Sequence, residues 1–265
     1  MLFVNVVITY SILFLFGAVV GSFLNVCIWR LPREESIVFP SSHCPHCQKG
    51  IHWHDNIPIL SFLWLKGRCR RCHEKISWRY PIVELLAGLA PIWVVHQMGL
   101  RPEALIYTGL IWSLIIVTFV DVAHQIIPDQ VSLGGLVIGL IVSLVYPSLH
   151  QATTAWGGLR SSLFGALVGA GIIYFMGLVG KLIFKREAMG MGDVKLMGMI
   201  GSLLGWKMAV LIFFLAPFFG TAVGIWIRLV KKNDVIPYGP FLSLATFVAI
   251  FWGERILSYL LGSRL

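Results

Sequence analysis

The most regular feature of the sequence is a series of long apolar stretches separated by short polar ones. A helix needs about 20 mostly apolar residues to cross the hydrocarbon core of a bilayer. Eight stretches meet or approach that length, and each predicts a membrane-spanning helix: residues 1–29, 85–100, 104–120, 130–159, 161–180, 196–206, 208–227 and 235–253. The stretch 196–206 is long enough only if its helix begins near Gly192. No basic segment precedes the first stretch, which is predicted to be a retained helix rather than a cleaved signal peptide.

The composition agrees with a membrane protein. Apolar residues occupy 57% of the 265 positions and charged residues only 12%, whereas soluble domains contain about 25% charged residues. So few charges cannot cover a water-facing surface, which excludes a soluble enzyme, a disordered protein and a secreted disulfide scaffold. The predicted fold class is an all-α polytopic membrane protein with about eight transmembrane helices.

The excess of basic residues predicts the orientation in the membrane. The chain has 21 Lys and Arg against 12 Asp and Glu, a net charge of +9. In a soluble protein this balance would suggest a nucleic-acid partner, but retention of Lys and Arg on the cytoplasmic side explains it here. With the N-terminus outside, sixteen basic residues fall on the cytoplasmic side and five on the other, at Arg101, Arg160, Lys207, Arg255 and Arg264. We therefore predict both termini outside, contact with the lipid bilayer and no nucleic-acid partner.

The segment between the first two predicted helices contains two Cys-x-x-Cys pairs. Cys44 and Cys47 are followed, after 21 intervening residues, by Cys69 and Cys72. This spacing is typical of tetrahedral zinc, and four thiolates leave no position for water, so the predicted zinc ion is structural. A module this small also needs a metal or another staple to fold. The predicted domains are a first transmembrane helix at 1–29, a small cytoplasmic zinc-binding loop domain at 30–80, and the remaining transmembrane bundle at 81–265.

Disulfides or free thiols are the alternatives for these cysteines. The basic content of the loop predicts a location in the reducing cytoplasm, where stable disulfides are rare. Five nearby histidines are alternative ligands, although solvation in an interfacial loop also accounts for them: His43, His46, His52, His54 and His73.

Two acidic residues lie at predicted cytoplasmic helix ends. Asp121 follows the stretch 104–120, and Asp193 belongs to Gly190-Met-Gly-Asp-Val-Lys195. An ionisable side chain against lipid costs about 2.5–3.5 kcal/mol on insertion scales, so such groups usually face a protein interior or a water-filled cavity. Two carboxylates in one cavity can share a proton, one polarising a carbonyl while the other activates water. The alternative is that each aspartate is only a helix cap or an interfacial charge.

Two further acids have mainly structural interpretations. Asp129 follows Pro128 and precedes an apolar stretch, as an N-cap residue does. Glu84 lies near the start of the second predicted span, where it either caps that helix or pairs with an arginine of the loop.

Six motifs together resemble the type IV prepilin peptidase family, which consists of intramembrane aspartic proteases of the GxGD type. In order, they are Gly21-Ser-Phe-Leu-Asn-Val-Cys-Ile-Trp-Arg-Leu-Pro32, the two cysteine pairs, Cys72-His-Glu-Lys-Ile-Ser-Trp-Arg-Tyr-Pro-Ile-Val-Glu-Leu-Leu86, Asp121 with Ile127-Pro-Asp129, Gly190-Met-Gly-Asp-Val-Lys195, and Pro237-Tyr-Gly-Pro-Phe241. One GxGD motif alone would be weak, whereas six in family order are specific. The sequence departs mildly from the family pattern at Cys27 and Tyr238, where a small aliphatic residue and phenylalanine are common.

The resemblance implies a multi-pass enzyme of the bacterial inner membrane, with Asp121 and Asp193 as the catalytic pair and zinc on the four loop cysteines. Similar members cleave the leader of type IV prepilins or pseudopilins, which serve pilus assembly or type II secretion, after a glycine. They then N-methylate the new N-terminal residue with S-adenosylmethionine. The resemblance places methyl transfer in the loop and the stretch Arg79–Gly88, with Glu84 and Gly88 as cofactor-binding residues.

Two other functional classes compete with this interpretation. A proton-coupled membrane transporter could use Asp121 and Asp193 as carriers, but it predicts acids deeper in the spans and repeated halves with broken helices. A zinc-dependent membrane scaffold that binds a partner through the basic loop leaves the glycines around Asp193 unexplained. Cleavage of a prepilin would distinguish a peptidase from both.

Overall fold

The computed structural model of the protein describes residues 2–185, 189–231 and 237–262. Residues used in the sequence predictions but lying outside these ranges are Arg186, Lys232, Val235, Ile236 and Arg264. The α-helices of the described part are α1 (Leu2–Arg30), α2 (Leu60–Trp64), α3 (Arg79–Met98), α4 (Pro102–His124), α5 (Asp129–Val145), α6 (Ala155–Phe184), α7 (Met191–Lys231) and α8 (Gly239–Leu261). Short 3-10 turns occur at Leu31–Arg33, Trp53–Asn56 and Pro147–His150. Over the same ranges, β-structure is limited to two isolated bridges.

The described ranges contain six helices that are long and apolar enough to cross a membrane: α1, α3, α4, α6, α7 and α8. Helix α5 is also apolar but has only 17 residues. The chain is therefore an all-α polytopic membrane protein, as its hydropathy pattern predicts.

Helix α7 consists of two arms separated by Gly205, whose φ of 79° and ψ of 169° are not helical. A Cβ built on Gly169 of α6 would lie against the Met197 carbonyl and only 3.5 Å from the Ala209 Cβ. Those two residues would be about 18 Å apart along a straight helix, at about 1.5 Å per residue. The chain therefore folds back at Gly205. The two arms, residues 191–204 and 206–231, correspond to the separate spans predicted at 196–206 and 208–227.

The predicted boundaries were wrong at two other places. The stretch 130–159 is not one helix, because α5 ends at Val145, the turn Pro147–His150 follows, and α6 begins at Ala155. The Thr154 side chain accepts a hydrogen bond from the Gly157 N–H at 3.1 Å and so caps α6. Helix α8 continues to Leu261, eight residues past the predicted end at 253, because Glu254 and Arg255 do not terminate it.

The chain divides into two compact units, residues 1–116 and 117–265. In the first unit α1 and α3 pack closely: a Cβ built on Gly21 would lie only 2.7 Å from the Glu84 Cα, so the missing side chain of Gly21 makes room for α3. The loop is joined to the same helices: Arg30 donates to the Ser36 and Pro40 carbonyls at 2.8 and 2.7 Å. The loop thus shares a unit with the helices that flank it.

In the second unit a buried polar cluster lies beside the reversal at Gly205. The His150 Nε2 lies 2.9 Å from the Ser143 hydroxyl and 3.1 Å from the Ser202 carbonyl oxygen. The Ser162 hydroxyl donates to the same carbonyl at 2.7 Å. A helix that ends leaves its last carbonyls without backbone donors, and a bilayer offers them no water. Side chains from the neighbouring segments replace those donors at the Ser202 carbonyl.

Candidate active site and metal centre

The first cysteine pair lies in a tight hairpin. The Cys44 N–H donates to the Lys49 carbonyl at 3.0 Å, and the Gln48 N–H donates back to the Cys44 carbonyl at 2.9 Å. Gln48 adopts a left-handed conformation, with φ 56°, which lets the chain turn immediately after Cys47. Both sulfurs are thereby held on one short turn.

The second pair repeats this geometry 25 residues later. The Cys69 N–H donates to the Glu74 carbonyl at 2.9 Å, and the His73 N–H donates to the Cys69 carbonyl at 3.0 Å. His73 has φ 58°, matching Gln48 of the first hairpin. The loop is therefore a pair of equivalent cysteine turns.

The two turns bring the four sulfurs together. Their Sγ atoms all lie within 4.8 Å of one another, and those of Cys44 and Cys72 are 3.8 Å apart. A tetrahedral ion with metal–sulfur bonds of about 2.3 Å requires sulfurs about 3.8 Å apart. The structure forms no disulfide among the five cysteines. The geometry fits a metal ion, and among the described residues the ligand group contains cysteines alone.

The two thiols of the second pair ionise very differently. Backbone N–H groups of Cys72 and Arg71 lower the pKa of Cys69 to about 7. The Glu74 N–H also lowers the pKa of Cys72, but desolvation and the other three thiols outweigh it and raise the value to about 12. The cluster thus resists carrying several thiolates without a cation.

An ion pair links the second turn to the middle of the loop. Arg70, which lies between the two cysteines of its pair, donates to both Asp55 oxygens, with Nη2 2.6 Å from Oδ1 and Nε 2.8 Å from Oδ2. Its guanidinium lowers the pKa of the Asp55 carboxyl. His52 lies 3.1 Å from Arg71 and His54 is stacked on His52, so both histidines have partners other than a metal.

The first of the two predicted catalytic aspartates lies in the last turn of α4. Asp121 is buried, and its Oδ2 accepts a hydrogen bond from the Gly239 N–H, at the start of α8, at 2.8 Å. A Cβ built on Gly239 would lie 2.8 Å from the same oxygen and 3.2 Å from Val117. Only glycine allows the backbone to approach this carboxylate so closely.

The second aspartate belongs to the first turn of α7. The Asp193 carboxylate is hydrogen-bonded by the Gly190 backbone and interacts electrostatically with Asp121. The structure therefore brings the two predicted residues together, although 72 positions separate them. The Tyr238 hydroxyl, which also interacts with Asp193, is buried and has no hydrogen-bond partner in the described part of the chain. The sequence did not indicate that the Tyr238 hydroxyl lies near the two aspartates.

The segment before α5 is fixed against the start of α7. A Cβ on Gly192 would lie 3.0 Å from the Ile127 Cβ, so the glycine makes room for that side chain. The Lys195 Nζ contacts both Asp129 oxygens, at 2.7 and 2.8 Å. The predicted N-cap role of Asp129 is wrong, because Pro128 occupies the cap position and Asp129 is the first helical residue. No spacing in the sequence indicates this ion pair.

Neither of the two structural roles predicted for Glu84, capping α3 or pairing with an arginine of the loop, is found. Glu84 lies in the second turn of α3, is buried, and accepts a hydrogen bond from the Ile59 N–H of the loop at 2.7 Å. It therefore holds the loop rather than capping its helix or pairing with an arginine. Gly88, one turn further along α3, packs on α1, since its Cβ would lie 2.8 Å from the Phe14 ring.

Membrane-spanning helices, an interacting pair of carboxylates and a cysteine cluster that could hold a metal ion define a polytopic membrane protein with a candidate aspartic-peptidase site. The bacterial peptidase A24 N-terminal domain matches residues 15–98, and the type IV leader peptidase family matches residues 108–225. The chain belongs to the type IV leader peptidase family, as the sequence motifs indicate.

The similar proteins extend over nearly the same length. A prepilin leader peptidase/N-methyltransferase of Aeromonas hydrophila is 34% identical over 97% of this chain and 95% of its own. The protein of that name from Stutzerimonas stutzeri is 36% identical over 94% and 93%, and that from Pseudomonas aeruginosa is 33% identical over 91% and 90%. No solved structure matches this chain.

Proposed function

We propose that this protein is a bifunctional enzyme of the bacterial inner membrane. It cleaves the leader of a type IV prepilin or pseudopilin after a glycine, at the cytoplasmic membrane face, and then N-methylates the new N-terminal residue. The observation that carries the proposal is the interaction of Asp121 and Asp193 in a chain of the type IV leader peptidase family. Both activities appear in the name shared by its relatives.

The paired carboxylates supply the chemistry of peptide hydrolysis. Two close carboxyl groups share one proton, so one acts as an acid while the other acts as a base. The base takes a proton from water, whose oxygen adds to the scissile carbonyl carbon as the acid protonates the carbonyl oxygen. Collapse of the tetrahedral intermediate breaks the C–N bond, and the leaving nitrogen takes a proton. The Gly239 N–H holds Asp121 in place throughout.

The position of the aspartates at helix ends suits this substrate. Asp121 lies in the last turn of α4 and Asp193 in the first turn of α7. A prepilin has a short positive leader followed by a hydrophobic helix, so its scissile bond lies at the membrane surface. The basic residues of the connecting segments predict that this surface is cytoplasmic.

The four cysteines are proposed to hold a structural zinc ion. A complete set of four thiolates leaves no coordination position for water or substrate. Zinc therefore serves the fold of the loop, which in turn contacts Glu84 through Ile59.

Methyl transfer is assigned to the first unit. S-adenosylmethionine would supply the methyl group, which passes from its sulfonium sulfur to the free amine, while that amine loses a proton. Glu84 and Gly88 are the residues proposed for this function. Glu84 is a buried carboxylate able to accept a hydrogen bond from an amine or a ribose hydroxyl, and Gly88 holds α3 close to α1.

Incubation of the purified chain with a prepilin and S-adenosylmethionine tests the proposal. Mass spectrometry should show a shortened, N-methylated product. Asp121→Asn and Asp193→Asn should each abolish cleavage while the protein still inserts, because asparagine is neither acid nor base. Asp129→Asn is the matched control: it breaks a partly exposed ion pair worth about 0–1 kcal/mol, so at most about fivefold should be lost. An uncut prepilin with the wild type, or near-normal cleavage by either dyad variant, would contradict the assignment and leave a transporter or scaffold function open.

A further inference from the structure

A cavity of about 850 Å³ lies in the first unit, between the end of α1, the start of α3 and the loop. Ligand pockets generally enclose about 300–1,000 Å³. The rings of Trp29, Phe62 and Tyr80 line part of this cavity. The Arg33 guanidinium lies 3.8 Å from the centre of the Trp29 ring, and that of Arg79 lies 5.1 Å from the centre of the Tyr80 ring. The size of the cavity suits a nucleoside-sized ligand.

Two buried polar atoms beside the cavity lack a hydrogen-bond partner. Asn25 is only 2% exposed, and its Nδ2 donates to the Tyr80 carbonyl at 3.1 Å, but its Oδ1 accepts nothing. The Arg79 Nε is buried without an acceptor. Nearly all buried polar groups in folded proteins are paired. An acceptor and a donor left unpaired beside one cavity indicate a ligand with both kinds of group.

A buried carboxylate completes the set. Glu84 is 8% exposed, lines the same cavity and accepts hydrogen bonds from the Ile59 N–H and the Ser22 side chain. An ionised carboxylate offers about four acceptor sites, so it can accept further bonds. Gly21 packs on the Glu84 backbone, and Asn25, one turn along α1, bonds Tyr80, one turn back on α3. The crossing of the two helices therefore brings Asn25 and Glu84 close together, and Arg79 lines the same cavity.

We propose that Asn25 and Arg79 bind the methyl donor in this cavity beside Glu84, an inference that rests on the methyltransferase half of the proposed function. S-adenosylmethionine combines a carboxylate, an ammonium group, a sulfonium and an adenosine. The Arg79 Nε donates to its carboxylate, while the Asn25 Oδ1 and Glu84 accept from its ammonium group or ribose hydroxyls. Asn25 and Arg79 are thus donor-binding residues in addition to Glu84.

Equilibrium dialysis of S-adenosylmethionine against the purified full chain in detergent measures this binding without any turnover. Glu84→Gln keeps an oxygen for the Ile59 N–H but removes the charge, so affinity should fall about tenfold or more, as for a charge-assisted hydrogen bond. Glu34→Gln is the matched control, because it removes an exposed carboxylate that does not line the cavity. Its affinity should equal that of the wild type, and both variants should still cleave a prepilin.

A second pair of measurements tests the orientation of the donor. Arg79→Gln should weaken S-adenosylmethionine about tenfold but leave the affinity for decarboxylated S-adenosylmethionine at the wild-type value. Equal losses for the two ligands would overturn the role of Arg79. The Arg79 Nε has no protein acceptor to lose, but its guanidinium lies 5.1 Å from the Tyr80 ring and 5.8 Å from the Trp29 ring. The decarboxylated ligand controls for loss of those ring contacts, so this variant is informative even if Glu84→Gln unfolds the loop.

The possible failures are distinguishable. A wild-type chain that binds no S-adenosylmethionine contradicts the methyltransferase function itself. A wild type that binds it, together with Glu84→Gln and Arg79→Gln variants of unchanged affinity, overturns only the cavity as its location. Selective loss of binding in both variants, with cleavage retained, supports the proposal.

Discussion

Gly239 is the residue whose replacement most directly tests the geometry of the dyad. A methyl group on residue 239 would lie 2.8 Å from the Asp121 Oδ2, which is closer than van der Waals contact allows. The backbone would have to shift, and its N–H would move away from the carboxylate to which it now donates. A hydrogen bond to a charged group contributes about 1.5–3 kcal/mol. We expect Gly239→Ala to slow leader cleavage about 10- to 100-fold, measured as kcat/KM on a purified prepilin.

The control for that variant is Gly134→Ala on α5. A Cβ at Gly134 meets nothing within 4 Å, so the same chemical change should leave cleavage unaltered. Equal activity of Gly239→Ala and the wild type would show that Asp121 does not depend on this backbone approach.

The thiols of the second cysteine turn give a prediction that depends on pH. In the metal-free protein the pKa of Cys69 is about 7 and that of Cys72 about 12. The reactive form is the thiolate, so alkylation of Cys69 should accelerate as the pH rises through about 7. Cys72 should remain slow up to pH 9. Peptide mass spectrometry after N-ethylmaleimide treatment measures both rates in one sample. Equal rates for the two residues would contradict the assigned hydrogen bonding, and metal loading should protect both.

The reversal within α7 depends on the hydrogen bonds of His150. Burial lowers the pKa of His150, so at neutral pH its imidazole is uncharged in the folded protein. A depressed histidine contributes stability that is present above its unfolded pKa of about 6.5 and is lost as the pH falls below it. The melting temperature of the wild type should therefore decrease on acidification from pH 7 to pH 5.

His150→Gln isolates this contribution, because glutamine can still donate to the Ser202 carbonyl but does not titrate. The variant should lose less stability between pH 7 and pH 5 than the wild type. His150→Ala should cost about 1 kcal/mol at pH 7, in the range of hydrogen bonds inside membrane proteins. Parallel pH profiles of the wild type and His150→Gln would place the titrating group elsewhere.

Local sequence signals predicted some parts of these elements and missed others. The eight apolar stretches gave the helical segments, including both arms of α7, because apolar length is what a bilayer selects. The division between α5 and α6 was missed although Pro147 and the capping Thr154 mark it, because the apolar run continues through both. The Lys195–Asp129 and Ile59–Glu84 contacts join residues that are 66 and 25 positions apart. Hydrophobic periodicity does not predict contacts between such distant positions.

The division after Ile116 separates the two proposed chemistries along the chain. Asp121, Asp193 and Gly239 all belong to the second unit, whereas the cysteine turns and the cavity belong to the first. The two family matches, at 15–98 and 108–225, follow a similar division. The cysteine spacing predicted the metal site, and the aspartate motif predicted the peptidase site. The cavity depends on how α1 crosses α3, and no pattern in the sequence predicts that crossing.

This separation predicts what loss of the metal should do. Cys69→Ser/Cys72→Ser should remove the bound zinc, by metal analysis, and loosen the loop. Leader cleavage should remain within about twofold of the wild type, as for sites with independent energetics. The conservative control is Cys27→Ser, which changes a cysteine outside the cluster and should retain the metal. Full zinc in the double variant would move the ligands to histidines, and loss of cleavage would mean that the peptidase needs an intact loop.

The reversal at Gly205 also leaves the second unit with helices that are shorter than the hydrocarbon core is thick. Its first arm, residues 191–204, extends about 21 Å, and the 17 residues of α5 extend about 26 Å, at about 1.5 Å per residue. The hydrocarbon core is about 30 Å thick. Residues 196–203 of the first arm are buried inside the protein, whereas α5 exposes Val137, Ile138 and Ile141. Lipid beside a short helix such as α5 accommodates it by thinning, at a cost of a fraction of a kcal/mol per Å. Helix α5 adjoins the start of α7 through Asp129 and Lys195, so thinning beside it brings the surface of the membrane, and its water, closer to the two aspartates.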